Sequence, residues 1–324
     1  MEGKESRRHA APDEPPETAA LDVTVLMGGP SSEREVSLLS GTAIADALQR
    51  RGHKVTRADI LPQDTAALDR EGIDVVFIAL HGEFGESGEV QQLCEDRHVL
   101  YTGSGPGASQ LAMDKAATKQ IAKRIGLATP DWMILEEFHT PEQIARWLPE
   151  LGVPVVVKPV DGGSSVDVTV ARTRDVRDAA LEEMLDRYGR IMLERFVPGR
   201  ELTVGILDDE PLGVLEILPS REFYDYTAKY ADDSGTNYTF DHGLDAALTE
   251  QARSAARAIH EALGCRHMSR VDFILDVAAV PWLLEVNTIP GFTSHSLLPM
   301  AASKGGVGFD ELCDRLARMA IRDG

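Results

Sequence analysis

Cysteine is scarce: Cys94, Cys265 and Cys313 are the only three in 324 residues. They lie far apart, outside any C-x-x-C spacing, so neither a disulfide framework nor a zinc site is indicated. The usage suits a reducing cytoplasm. Basic charge is short as well. Lys and Arg number 33 against 53 Asp and Glu, a net charge of -20, which denies the chain the basic face that a duplex nucleic-acid binder needs. The acidity is read as serving solubility. No apolar run approaches the roughly 20 residues of a membrane-spanning helix. The N-terminus lacks an apolar signal core and a small-residue cleavage site, so no membrane partner is expected. Asn237-Tyr238-Thr239 fits the glycosylation sequon, but without a secretory signal the match is coincidental.

The chain is long for a single core, which predicts two or three domains. Residues 1–20 are rich in Pro, Glu, Ala and Arg without a period, and are expected to form a disordered tail. Leu21–Met27 reads as a strand ending at Gly28-Gly29-Pro30, with Ser31 and Ser32 as candidate caps of a helix and Glu33 in its first turn. Val75–Leu80 is apolar throughout, as a buried parallel strand should be, and runs into His81-Gly82-Glu83. Functional groups gather beyond such carboxyl ends in open α/β sheets. Val99–Thr102 is expected to add a strand. Gly103-Ser104-Gly105-Pro106-Gly107-Ala108 then fits the dinucleotide fingerprint formally, but it follows two strands, and the acidic residue some way on, Asp131, starts the next strand where the fingerprint wants one ending it. A Rossmann oxidoreductase is therefore disfavoured.

The strongest local signal lies late in the chain, in WLLEVNTIPGFTSHSLL. Side chains alternate along a strand, so Glu285 and Asn287 share a face, and Arg270 and Asp272 repeat the arrangement one strand earlier. Two carboxylates and an amide make an oxygen-rich site suited to magnesium. Gly291 and Ser294-His295-Ser296 follow with amides and hydroxyls for an anion. Upstream, Lys115 sits in a helix expected over Met113–Ile125, with Lys119 and Lys123 on its general face; the simpler reading of the three is a solvated basic stripe. Lys158 ends a strand over Val153–Val157 and, being partly buried, needs an anionic partner. Asp161-Gly162-Gly163-Ser164-Ser165-Val166 is a loop able to fold over phosphates, although the P-loop spacing is absent. Strands are further expected at Ile191–Val197, Glu201–Leu207 and Leu212–Leu218, a lid from Phe223 to Tyr238, and helices over Ala246–Leu263 and Phe309–Ile321.

Taken together, GGPSSEREVS, IALHGEFGE, YTGSGPGAS, MDK, VVKP, GGSSV, FYDYTAKY, SRVDF and EVNTIPGFTSHS resemble the D-alanine:D-alanine ligases of the ATP-grasp superfamily, in order and over residues 21 to about 320. The resemblance implies an α/β protein of three-domain ATP-grasp architecture: an N-terminal open parallel-sheet domain (21–106), a central ATP-grasp domain (107–196) and a C-terminal ATP-grasp domain with lid and metal site (197–320). It also implies a cytoplasmic enzyme, commonly a homodimer, that joins two D-alanines through an acyl phosphate for peptidoglycan synthesis. The alternatives are an ATP-grasp ligase with D-serine or D-lactate as second substrate, and an inactive nucleotide-binding regulator.

By similarity, Asp272, Glu285 and Asn287 hold a pair of magnesium ions, for which manganese can substitute, with Glu285 bridging them. Lys115 and Lys158 meet the ATP phosphates under a loop containing Ser164 and Ser165. Glu194, Arg195 and the backbone through Val197 take adenine, Glu201 takes the ribose, and Lys229 completes the nucleotide site. Glu33 receives the first substrate's ammonium near His81, and Glu33, Ser164 and Tyr230 form a set that pins the lid. Arg270 and the Gly291 amide face the oxyanion; Ser296 and the Leu297 amide bind the second carboxylate. Tyr230 resembles the dipeptide-forming kind of lid. Gly162, Asp167 and Asp241-His242 depart from the family pattern, and His267-Met268 is unusual beside Arg270.

Overall fold

A computed structural model describes residues 19–137, 139, 143, 144, 146, 152–162, 167–218 and 236–323. Most of the expected N-terminal tail, Ser164, Ser165, Lys229, Tyr230 and most of the expected lid lie outside these residues.

Three sheets organise the described chain. The first is parallel, with β1 (Asp22–Met27) between β2 (Lys54–Asp59) and β3 (Val75–Ile78). Its central strands are apolar because both faces are covered. Val23, Val25, Val75 and Phe77 enter one core with Ile44 and Leu48 of the helix Arg34–Arg50, while Leu26, Val76 and Ile78 enter another with Leu80, Val90 and Tyr101. The expected strand Val99–Thr102 contributes only a parallel bridge, Val76 to Tyr101. Pro106 opens a helix, Pro106–Met113, so the glycine-rich segment ends as a helix start.

The second sheet is antiparallel, in the order β4 (Trp132–Glu136), β7 (Arg190–Arg195), β5 (Val155–Pro159), β6 (Thr169–Ala171). The helix Arg174–Tyr188 covers one face. Val155, Val157, Ile191 and Leu193 point into that core, so alternation turns Val156, Lys158, Met192 and Glu194 to the opposite face. The third sheet, also antiparallel, runs β10 (Asn237–Thr239), β9 (Glu210–Leu218), β8 (Gly199–Leu207), β11 (Met268–Asp276), β12 (Pro281–Asn287). The helix Ala246–Leu263 packs on it, capped by Asp245, whose side chain accepts the Leu248 N–H at 2.8 Å, and ended by Gly264 at φ 73°.

Two features aim the third sheet's polar groups. Leu202, Val204, Val271, Phe273 and Leu275 face the helical core, leaving Glu201, Thr203, Arg270 and Asp272 on the other side. A shift of register between Asp272 and Phe273 pairs Asp272 with Glu285 but Phe273 with Leu283. This bulge lets Leu283 and Val286 both reach the core while Glu285 and Asn287 turn with Asp272.

The helix Lys115–Arg124 lies between the two antiparallel sheets. Ile121 and Ala122 join the core of the third sheet, and Ala116 joins Val160 and Met192 of the second. The expected helix Met113–Ile125 is thus shorter: Asp114 leaves helical geometry at ψ 101° and caps the new helix by accepting the Ala117 N–H at 2.8 Å. The last helix, Phe309–Arg322, returns to the first sheet, where Leu312, Cys313, Leu316 and Ala317 share the core of Val23 and Val25. Asp314 fastens it. Its carboxylate meets Arg51 at 3.0 Å, His53 at 2.8 Å and Arg318 at 2.7 Å.

Candidate active site

Lys158 and Glu194 share the inner face of the second sheet, and Lys158 Nζ donates to Glu194 Oε2 at 2.6 Å. The sequence demanded an anionic partner for this lysine, and Glu194 is it. Glu194 Oε1 lies against the ammonium of Lys119. Burial alone would push the Glu194 carboxyl up, but Lys158 and Lys119 outweigh it and hold the group below its ordinary value. Lys119 is 0% exposed, so it does not belong to a solvated stripe. It was overlooked because its charge argued for solvent, although Thr118 and Ala122 beside it are buried too. Its Nζ donates to Thr129 Oγ1 at 2.6 Å, and Thr129 in turn donates to the Leu283 carbonyl at 2.9 Å.

Lys115, one turn earlier, donates to the Gly162 carbonyl and stands 3.7 Å from Glu285 Oε2. Burial lowers its pKa, opposed by the Glu285 charge and helped by Lys158. Across the strand from Glu285, Asp272 accepts from Thr203 Oγ1 at 2.6 Å, from Arg270 Nε at 2.9 Å and Nη2 at 2.7 Å, and from Asn287 Nδ2 at 3.3 Å. The structure therefore joins Arg270, Asp272, Glu285, Asn287 and Lys115 in one cluster. No group of three or more His, Cys, Asp or Glu side chains suits a metal among the described residues. The third oxygen donor here is the Asn287 amide, and this all-oxygen set fits a hard cation such as magnesium.

A cleft of about 700 Å³ opens beside this cluster, lined by Glu33, Gly82, Asp114, Asp161, Gly162 and Arg190 among others. It shares Met113 and Gly162 with the narrow gap that holds Lys115, Glu285 and Asn287, so the hollow bordered by Glu33 and the one bordered by Glu285 adjoin at those two residues. Glu33 is buried at the start of the helix Arg34–Arg50, where its N–H donates to Ser31 Oγ at 3.2 Å. The N-cap is Glu33 itself, without a side-chain cap bond, so neither expected serine caps the helix; Ser31 instead donates to the His81 carbonyl at 2.6 Å. Gly82, at φ 72°, passes so close that an added Cβ would stand 3.0 Å from Glu33 Oε2.

His81 is buried and ties two elements together. Its Nδ1 lies 3.1 Å from the Ile289 carbonyl, which can only accept, so Nδ1 carries a proton. Its Nε2 lies 3.0 Å from Ser40 Oγ, which also accepts the Phe292 N–H at 3.3 Å. That network anchors the loop with Gly291 and Ser296. Ser296 Oγ accepts the Thr293 N–H at 3.0 Å, and Leu297 begins the helix Leu297–Lys304. Farther along, Glu201 stands on β8 opposite Ile217 and Ile274. Arg195 ends β7 with its side chain 3.4 Å from Asp131, and Val197 follows before β8.

The family model described as D-ala D-ala ligase C-terminus matches residues 121–318. A D-alanine–D-alanine ligase of Anaeromyxobacter sp. (strain Fw109-5) is 44% identical over 294 residues, covering 91% of this chain and 95% of that protein. The chain belongs to the D-alanine–D-alanine ligase family. A ligase of the same name from Geobacter sulfurreducens is 43% identical over 304 residues, 93% of this chain and 94% of its own. Among solved structures, the D-alanine–D-alanine ligase of Bacillus anthracis complexed with ATP superposes with a TM-score of 0.81 at 32% identity, over 94% of this chain and 98% of that one. The VanG D-Ala:D-Ser ligase of Enterococcus faecalis gives 0.81 at 26% identity, over 93% and 100%. The ATP-grasp fold and the ligase class expected from the motifs are those of the family. None of the described helices is long and apolar enough to cross a membrane.

Proposed function

We propose that this ligase joins two D-alanines to D-alanyl-D-alanine at the expense of ATP, for peptidoglycan precursor synthesis. The observation that carries the reading is the seam between the antiparallel sheets. There, two buried ammonium groups, Lys115 and Lys158, stand with the carboxylates Glu285 and Glu194 beside a cleft bordered by Glu33. The domains divide near residues 106/107 and 196/197, with the last helix returning to the first sheet.

In this reading the ATP phosphates lie against Lys115 and Lys158, under the loop of Ser164 and Ser165. The base lies at Glu194, Arg195 and Val197, the ribose at Glu201, with Lys229 closing the nucleotide site. Glu33, beside His81, takes the ammonium of the first D-alanine. The carboxylate oxygen of that D-alanine bonds to the γ-phosphorus of ATP as the bond from phosphorus to the β-phosphate oxygen breaks, giving D-alanyl phosphate and ADP. The second D-alanine, its carboxylate held by Ser296 and the Leu297 amide, attacks the acyl carbon with its neutral amine. Phosphate leaves, and the nitrogen loses its extra proton. Arg270 and the Gly291 amide face the oxygen that becomes negative. Magnesium bound by Asp272, Glu285 and Asn287 would supply neutralisation of phosphate charge. Catalysis is otherwise positioning, as phosphoryl transfer requires. Glu33, Ser164 and Tyr230 hold the lid shut, and Tyr230 favours an amine as nucleophile. The enzyme works as a homodimer in the cytoplasm.

Mass spectrometry of products formed from ATP, magnesium and D-alanine, with D-serine and D-lactate competing at neutral pH, tests this. D-alanyl-D-alanine with matching phosphate release is expected; predominant mixed dipeptide or ester would overturn the substrate assignment, and ADP release without any condensation product would overturn the reaction.

A further inference from the structure

Three charges are shut together where the helix Lys115–Arg124 enters between the antiparallel sheets. Glu194 is 2% exposed, Lys158 6% and Lys119 0%. Each oxygen of Glu194 faces a different ammonium, and these two lysines are the charges that act on it. The trio carries one positive charge in excess. A buried charge persists only when paired or hydrogen-bonded, so the surplus is a standing demand for an anion.

The two lysines are not equivalent. Lys119 is moored by its hydrogen bond to Thr129 Oγ1 at 2.6 Å, with Thr129 fixed in turn to β12, and its ammonium sits 5.3 Å from the Trp132 ring centre. Among the described residues, the one hydrogen bond of the Lys158 side chain is to Glu194. An anion arriving at Lys158 would draw it from Glu194. With Lys158 as sole partner, that would strand a buried carboxylate.

We propose that Lys119 is a positioning residue for nucleotide binding: it remains with Glu194 as a fixed counter-ion, so that Lys158 can turn to a polyphosphate without leaving a buried negative charge unpaired. This rests on the reading of the cleft as the ATP site. It assigns to Lys119 a role that depends on phosphate and not on the base. Adenosine, which lacks phosphate, leaves Lys158 with Glu194 and has no need of Lys119.

Lys119 is faced by Lys123 from its own helix, Lys158 from β5, Glu194 from β7, Thr129 from the preceding segment and Trp132 from β4. Burial, opposed by Glu194 and assisted by Lys158, brings its ammonium down to about 8. Above that pH the fixed counter-ion is lost, and with it the preference for phosphate.

Calorimetric titration of the full-length protein with magnesium ATP and, separately, with adenosine tests the proposal in wild type, Lys119→Met and Lys119→Arg at pH 7. Lys119→Met is expected to weaken ATP about tenfold or more while leaving adenosine within about twofold, and Lys119→Arg to restore most of the ATP affinity. Equal losses for both ligands, or an unchanged ATP affinity, would overturn it. Should Lys119→Met fail to fold, Lys119→Arg compared with wild type decides. The ratio of ATP to adenosine affinity falls as pH rises through about 8 in wild type and stays flatter in Lys119→Arg, whose guanidinium keeps its charge; parallel pH profiles refute the role. Wild type binding adenosine but no ATP would refute the phosphate site at Lys158 and the proposal with it; wild type binding neither would refute the nucleotide reading beneath it.

Discussion

Arg270 grips Asp272 from two positions along the same strand, Nε to Oδ1 at 2.9 Å and Nη2 to Oδ2 at 2.7 Å. The planar fork fixes the carboxylate as well as neutralising it. Lysine keeps the charge but cannot span both oxygens, so Arg270→Lys is expected to lower kcat roughly a hundredfold. Steady-state kinetics with D-alanine varied at saturating ATP would check this; a kcat within about twofold of wild type would sink the assignment of Arg270 to the reacting centre.

Glu285→Gln removes a ligand charge while keeping the size of the side chain. Lys115 retains its hydrogen bond to the Gly162 carbonyl, so the fold is spared. Turnover is expected to fall roughly a thousandfold or more, with the thermal midpoint near that of wild type. Unchanged turnover at saturating magnesium would show that the metal assignment is wrong.

Phe292 couples packing to the site. It is buried between Phe77 and Phe309, with ring centres 5.9 and 5.7 Å away, and its N–H donates to Ser40. Phe292→Ala is expected to cost about 3–5 kcal/mol in urea unfolding. The milder Phe292→Leu should loosen the loop holding Gly291 and Ser296, raising KM for the second D-alanine more than KM for ATP. Equal changes in the two constants would count against the coupling.

His267, which the sequence left without a purpose, accepts the Gly103 N–H at Nδ1 at 3.0 Å and faces Asp323 at 3.3 Å with Nε2. It joins the turn after Tyr101 to β11 and the chain's end. Burial, reinforced by Arg266, lowers its pKa from 6.5 to about 4. The folded state thus favours the neutral ring: its contribution is complete above pH 6.5 and is lost as pH falls from there toward 4, by up to about 3 kcal/mol. Asn accepts the same bond and tolerates the positive φ of 64°. Urea midpoints at pH 7.5 and 5 should therefore diverge more in wild type than in His267→Asn; equal slopes would remove His267 from the account.

Legibility followed burial. The apolar strands of the first sheet and the helix Ala246–Leu263 could be read because their periods match the faces they bury. β2 escaped because most of KVTRAD is exposed or half-buried at a sheet edge, leaving no apolar period. The helix Arg174–Tyr188 escaped because its buried face includes Arg177 beside Ala180, Leu181 and Met184. At the site, Asp272, Glu285 and Asn287 were readable as alternating polar groups on strands. The bulge that aims two of them depends on cross-strand register, which no local pattern reports. Lys119 was hidden for a related reason: a lysine is buried only when its partner is supplied from elsewhere, here Glu194 from 75 positions later in the chain.

The last helix of the chain completes the core of the first strand. A nascent β1 therefore leaves the ribosome with its apolar face only partly covered, by the helix Arg34–Arg50, until nearly 300 further residues have been made, on the order of 15–60 s at ordinary translation rates. Over that interval the opening sheet is a surface for chaperones to shield, and chains cut short before Leu312 and Leu316 are bound to expose it permanently.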